Sequence, residues 1–333
     1  MEQHTLKISD GFLSDNGTEY LSLTATYHTG GKLNQFGTNV IWIFHGLTAN
    51  SNPQDWWPDM VGEGKTFDTS CNFVICVNML GSCYGTSYVE KESFVPCDQA
   101  FPRFTVSDQV RFFQQVASTI GIKTIDLLVG ASIGGFIAQE WAISDPLFIK
   151  KLALIATSFQ VSPWAAAFNE AQRMALFTDS TFGTNTKEAG RNGLMTARAI
   201  AMLSYRGYTA FSKTQGGRPA NQPHLHNAAT YQRYQGKKLA DRFSAEAYLN
   251  IINTFDSFDI TKNRGSHEHA LDLILAKTLV IGYSSDLLFP LSEQYQLASM
   301  IRNSTIRIIE ADFGHDSFLL EGVQISKYIK ECF

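Results

Sequence analysis

Short runs of β-branched and apolar residues, bounded by Gly, Asn or Asp, recur along the chain at 21–27, 40–44, 73–77, 125–129, 152–156, 278–281 and 306–309. Each is expected to be a buried strand. Between several of them lie segments whose apolar positions follow a helical period, at 107–120, 134–143, 292–301 and 317–330. Strand and helix in alternation imply right-handed crossovers and a mostly parallel central sheet with helices on both faces, which is the α/β class. One stretch breaks the alternation. From 163 to 272 no core strand is apparent, and helical patterns such as 193–203 and 245–255 are joined by a polar piece, 213–226, rich in Gly, Gln, Asn and Pro. The simplest organisation is a core in two pieces, 1–160 and 273–333, with a helical lid insertion at 161–272 between two strands. No internal repeat or low-complexity segment is found.

Composition narrows the function classes. Of the 333 residues 44% are hydrophobic and only 17% charged, below the roughly 25% of an average soluble domain, which excludes a disordered or highly charged tail protein. Lys plus Arg number 27 against 31 Asp plus Glu, a net charge of -4 with no basic block, so no nucleic-acid partner is expected. The opening residues Met1 to Lys7 lack the apolar run of a secretory signal, and the longest apolar stretch, 127–138, is broken by glycines and ends in Gln139 and Glu140. A soluble cytoplasmic protein without membrane contact is expected. The five cysteines, Cys71, Cys76, Cys83, Cys97 and Cys332, are odd in number and lack a CxxC spacing, so they read as reduced thiols rather than bridges or zinc ligands.

The strongest chemical signal follows the strand at 125–129. Gly130, Ala131, Ser132, Ile133, Gly134 and Gly135 form a G-x-S-x-G between that strand and a helix. This is a nucleophile elbow, in which small neighbours permit a strained turn that lifts a serine hydroxyl above the sheet. Ser132 is the candidate nucleophile, and the Ile133 N–H at the helix start is a candidate oxyanion donor. A serine needs a base, and the base an orienting acid, in the chain order Ser, acid, His. Asp286, in the loop after the strand at 278–281, and His315, after the strand at 306–309, satisfy that order on one rim of the sheet. A second oxyanion donor is expected from the loop after the strand at 40–44, at the Leu47 N–H. His224 with His226 and His267 with His269 have H-x-H spacing but no identifiable third ligand, so they read as surface histidines and no metal is expected. Asp256 and Asp259 precede a strand and read as solvated helix-end residues.

These residues resemble the homoserine O-acetyltransferases of the α/β-hydrolase superfamily over nearly the whole chain. The matches include His45 to Thr48, Trp56 to Pro58, Phe101, Pro102, Thr105 and Asp108, and the elbow with Gln139 to Trp141. They continue through Ala197, Arg198, Tyr205, Arg206, Arg242 and Phe243, then Ser285, Asp286, Leu288 to Pro290 and Gly314 to Phe318. The resemblance implies an α/β-hydrolase fold with Ser132, Asp286 and His315 as triad and Leu47 and Ile133 as oxyanion donors. It further implies that Arg198 and Tyr205 grip the carboxylate of homoserine and that Asp316 faces its ammonium group. No tightly bound cofactor is implied; acetyl-CoA is the co-substrate, L-homoserine the acceptor and a homodimer joined through the lids the assembly. From spacing alone Asp316 could instead cap the helix at Ser317, and Arg198 could be a surface residue. The elbow departs from the usual Gly-Gly-Ser-Met-Gly-Gly at Ala131 and Ile133, and Ala49 replaces a glycine. A succinyl donor, a serine acceptor, a plain esterase or thioesterase, and a non-catalytic binding protein of this fold are the alternatives.

Overall fold

The computed structural model describes residues 1–87, 104–186, 188–222 and 224–333. Cys97, Phe101 and Pro102 lie outside the described residues. The strands are β1 (Glu2–Ile8), β2 (Phe12–Leu13), β3 (Glu19–Tyr20), β4 (Leu23–Gly30), β5 (Val40–Phe44), β6 (Phe73–Val77), β7 (Leu127–Ala131), β8 (Lys151–Ile155), β9 (Lys277–Tyr283) and β10 (Ser304–Ile309). β2 and β3 pair with each other, and the other eight form one sheet in the order β1-β4-β6-β5-β7-β8-β9-β10. From β6 to β10 all pairings are parallel, while β1 and β4 add an antiparallel edge. The class is α/β, as the alternation of strand and helix implies.

Strand alternation builds two cores. Val40, Trp42 and Phe44 of β5 face one layer, which they share with α1 (Val106–Ile120), α2 (Ile133–Ser144) and α9 (Leu291–Met300). Ile41 and Ile43 face the other, with Trp57, Met60, Phe67 and the inner side of α11 (Gly322–Cys332). Both faces of β5 are therefore covered, and all five of its residues are buried. Among the described residues the chain between β8 and β9 is helical or looped. It forms α3 (Pro163–Thr178), α4 (Arg191–Tyr205), α5 (Tyr208–Gln215), α6 (Asn227–Ala240), α7 (Ala245–Asp256) and α8 (His267–Asp272).

Three expectations need correction. β1 is an antiparallel edge strand with no counterpart in the expected set, because its sequence EQHTLKI is mostly polar and exposed. The helix expected over 317–330 is two helices, α10 (Ser317–Leu320) and α11, parted at Glu321. Asp256 is not solvated: at the end of α7 it pairs with Arg173 Nη1 at 2.6 Å and accepts from Asn169 Nδ2 at 2.6 Å. Burial pushes its carboxyl above the usual range, and those two donors pull it back.

Candidate active site

The parallel register delivers the reactive side chains to one edge. β5 and β7 lie side by side with Phe44 opposite Gly130, so the loop beginning at His45 emerges beside the elbow. This is the switch point of the sheet, where the chain runs from β5 to β6 on one side and returns as β7 on the other. β9 and β10 pair with Tyr283 opposite Ile309, and the loops that carry Asp286 and His315 leave together. Ser284 N–H donates to the Ile309 carbonyl at 3.1 Å, and Gly314 N–H donates to Ser285 Oγ at 2.9 Å, tying the two loops to each other.

Ser132 sits at φ 57°, ψ -127°, a conformation that costs about 1–3 kcal/mol for a residue with a side chain. Neighbouring bonds enforce it. Ser132 N–H donates to the Ile155 carbonyl at 3.0 Å, and its own carbonyl accepts from Gly135 N–H and Thr157 Oγ1, each at 2.9 Å. The glycines are required by close approach: a Cβ on Gly134 would stand 2.8 Å from the Phe44 carbonyl oxygen, and one on Gly130 would run into the Gly134 backbone. The α2 start therefore presses directly on the end of β5.

Ser132 Oγ lies 2.9 Å from His315 Nε2, and His315 Nδ1 lies 2.9 Å from Asp286 Oδ2. Asp286 is oriented by its other oxygen, which accepts from the N–H groups of Leu288 at 2.9 Å and Phe289 at 3.0 Å. Its Oδ2 is thus left to hold the Nδ1–H tautomer, with Nε2 facing the serine. Such an array can pass a proton from hydroxyl to imidazole. All three residues are buried, and the imidazole is enclosed by Tyr205, Phe289 and Phe318 at ring-centroid distances of 5.7, 5.4 and 5.4 Å. Among the described residues neither the Leu47 nor the Ile133 N–H is taken by an acceptor.

Arg198 on α4 is half-buried rather than a surface residue, with its guanidinium 5.2 Å from the centre of the Tyr205 ring. Asp316 makes no capping bond to α10; its Oδ2 is paired instead with Arg206 Nε at 2.8 Å. No local pattern around Arg206 marks this pairing. His224 and His226 are exposed, and His267 and His269 line a surface cleft with Phe159, Glu268 and Asp272, none of which belongs to the Ser–His–Asp array.

His45, only a motif position in the sequence, is fully buried at the root of the Leu47 loop. Its Nε2 accepts from Met79 N–H at 3.3 Å, which leaves the proton on Nδ1, 2.8 Å from the Gly46 carbonyl. Burial lowers its pKa from 6.5 to about 4. The unfolded chain therefore binds a proton that the native state refuses, and stability is lost as pH falls from 6.5 toward 4. Between about pH 7 and about pH 4.5 this amounts to roughly 2 kcal/mol, and His45→Gln is expected to remove that part of the acid sensitivity in denaturant titrations at the two pH values.

A family model described as alpha/beta hydrolase fold matches residues 39–322, so the chain belongs to the α/β-hydrolase fold family. Within it the chain belongs to the homoserine O-acetyltransferase family. It is 36% identical to the homoserine O-acetyltransferase of Cyclobacterium marinum, covering 100% of this chain and 95% of that protein. Among solved structures it is similar to homoserine O-acetyltransferase from Bacillus anthracis, with a TM-score of 0.89 and 22% identity over 99% of this chain and 97% of that one. It also shares its fold with an acetylester hydrolase from Corynebacterium glutamicum, with a TM-score of 0.86 and 22% identity over 99% and 95% of the two chains.

Proposed function

We propose that the protein transfers the acetyl group of acetyl-CoA to the hydroxyl of L-homoserine by a ping-pong mechanism, a step of methionine biosynthesis. The reading is carried by one juxtaposition: the Ser132–His315–Asp286 array opens beside a cation and an anion, Arg198 and Asp316. The full-length likeness to the Cyclobacterium marinum enzyme supports it. In the first half-reaction Ser132 Oγ attacks the thioester carbonyl and its proton passes to His315 Nε2. The tetrahedral oxyanion accepts from the Leu47 and Ile133 N–H groups, each worth about 3 kcal/mol in the barrier. Collapse breaks the C–S bond, and the CoA thiolate leaves with the proton from Nε2. In the second half-reaction the homoserine hydroxyl gives its proton to Nε2 and attacks the acyl-serine. Collapse releases O-acetylhomoserine and returns the proton to Ser132 Oγ. Asp286 stays ionised throughout and stabilises the imidazolium.

Homoserine must outcompete abundant water by roughly ten-thousandfold, about 5.5 kcal/mol, which a positioned acceptor supplies because effective molarities reach about 10⁵ M. A zwitterion needs one cation and one anion held apart. Arg198, braced on Tyr205, takes the carboxylate, and Asp316 takes the ammonium. The helices at 161–272 act as the lid that excludes water, and two copies joined through these lids form the working dimer in the cytoplasm. No helix among the described residues is long and apolar enough to cross a membrane.

The test follows CoA thiol release with acetyl-CoA or succinyl-CoA against homoserine or serine, in the wild type and in Arg198→Ala. The acetyl-CoA and homoserine pair is expected to turn over fastest. Arg198→Ala is expected to lose about 10²-fold or more in homoserine transfer while first-turnover CoA release stays near wild type. A wild-type rate that homoserine does not raise above hydrolysis contradicts the transferase and favours an esterase.

A further inference from the structure

The chain at the end of α4 folds back onto the loop that carries His315. Gly207 and Gly314 meet backbone to backbone, and a Cβ on either would collide with the other segment. Arg206, immediately before Gly207, spans the same loop. Its guanidinium stands 5.6 Å from the centre of the Phe313 ring on one side of His315, and its Nε reaches Asp316 Oδ2 at 2.8 Å on the other. The pair is largely withdrawn from water, with side-chain exposures of 23% and 14%. Among the described residues neither Asp316 oxygen accepts a hydrogen bond, and Arg206 Nε, itself buried, holds Oδ2 as an ion pair only.

We propose that Arg206 is a positioning and specificity-determining residue of the acceptor step, fixing the Asp316 carboxylate by one oxygen so that the other is presented to the acceptor's ammonium group. This rests on the assignment of Asp316 to the homoserine ammonium. The charged and titratable groups that face Asp316 are Arg198 and Tyr205 from α4, Arg206 from the following turn and His315 from its own loop. Lys213, the other cation near this loop, is engaged with Asp312 at 2.7 Å. Burial drives the Asp316 carboxyl above the usual range, and Arg198, Arg206 and His315 oppose it. A neutral Asp316 would offer no charge to an ammonium group, so the acceptor site depends on the cations that oppose its burial, Arg198 first and Arg206 beside it. Arginine suits the position because its planar head can stack on Phe313 and pair with a carboxylate at once, which the point charge of a lysine cannot.

The experiment compares Arg206→Met and Arg206→Lys with the wild type in the full chain, using homoserine and 4-hydroxybutyrate, the same hydroxy acid without the ammonium group, as acceptors. First-turnover CoA release from acetyl-CoA reports acylation independently of either acceptor. Arg206→Met is expected to leave acylation near wild type, to lower kcat/KM for homoserine by about 10- to 100-fold, and to leave 4-hydroxybutyrate nearly unchanged. The acid limb of the homoserine profile is expected to move to higher pH, since Asp316 then takes up a proton more readily; Arg206→Lys recovers part of both losses. Equal losses in acylation and in both acceptors, with the acid limb unmoved, would show that Arg206 only braces the His315 loop and would overturn the proposal alone. A wild-type enzyme insensitive to homoserine would overturn the functional reading and this inference with it.

Discussion

Ser132→Ala lowers homoserine-dependent CoA release by about 10⁴-fold or more, and the acetylated enzyme does not form. The substitution removes one atom from a residue whose backbone is held by the Ile155 carbonyl, Gly135 N–H and Thr157 Oγ1. Alanine meets the same steric cost at φ 57° as serine, so the elbow is expected to keep its shape and the variant its stability. What remains is the oxyanion pair and the binding of both substrates, which can still assist a slow direct attack. Thermal unfolding alongside the rate measurement separates the loss of chemistry from a loss of fold.

Asp286→Asn should cost about as much, near 10⁴-fold, for a different reason. Oδ1 of Asp286 accepts from Leu288 and Phe289 N–H, so an asparagine at this position keeps its carbonyl oxygen there and turns its amide nitrogen toward His315 Nδ1. That nitrogen donates. Nδ1 must then accept, the ring proton moves to Nε2, and the atom facing Ser132 can no longer take a proton. The alternative rotamer sets an NH₂ group against two backbone donors and leaves all of them unsatisfied. Because Asp286 does not touch either substrate, KM is expected to hold while kcat falls in both half-reactions, a split visible in single-turnover and steady-state rates with acetyl-CoA.

The features legible in the sequence are those written in local pattern. Continuous apolar runs such as 40–44 and 73–77 mark strands buried on both faces, and the glycines around Ser132 mark an elbow whose close contacts with Phe44 and with the α2 backbone tolerate no side chain. The chain order of Ser132, Asp286 and His315, each after a strand, sufficed to place them on one edge. Less was legible where the pattern is weak or the partner distant. β1 is mostly polar and exposed, with only Leu6 and Ile8 apolar, as an edge strand can be, and α10 and α11 share an apolar stripe that continues across the break at Glu321. Arg206 and Asp316, and likewise Arg173 and Asp256, are paired only by the folding of remote segments onto each other. Nothing in the spacing of a lone arginine states which carboxylate it will meet. His45 carries the same lesson: its burial is decided by the loops packed around it, not by its neighbours in the chain.

The most direct test is to mix the protein with acetyl-CoA, quench in acid within the first turnovers, and map acetylation by peptide mass, with and without a brief homoserine chase. An acetyl group on the peptide that carries Ser132, removed by homoserine far faster than by buffer alone, is the expected result. An unmodified Ser132 under these conditions, or an acetyl group that homoserine does not remove faster than water, would contradict the account.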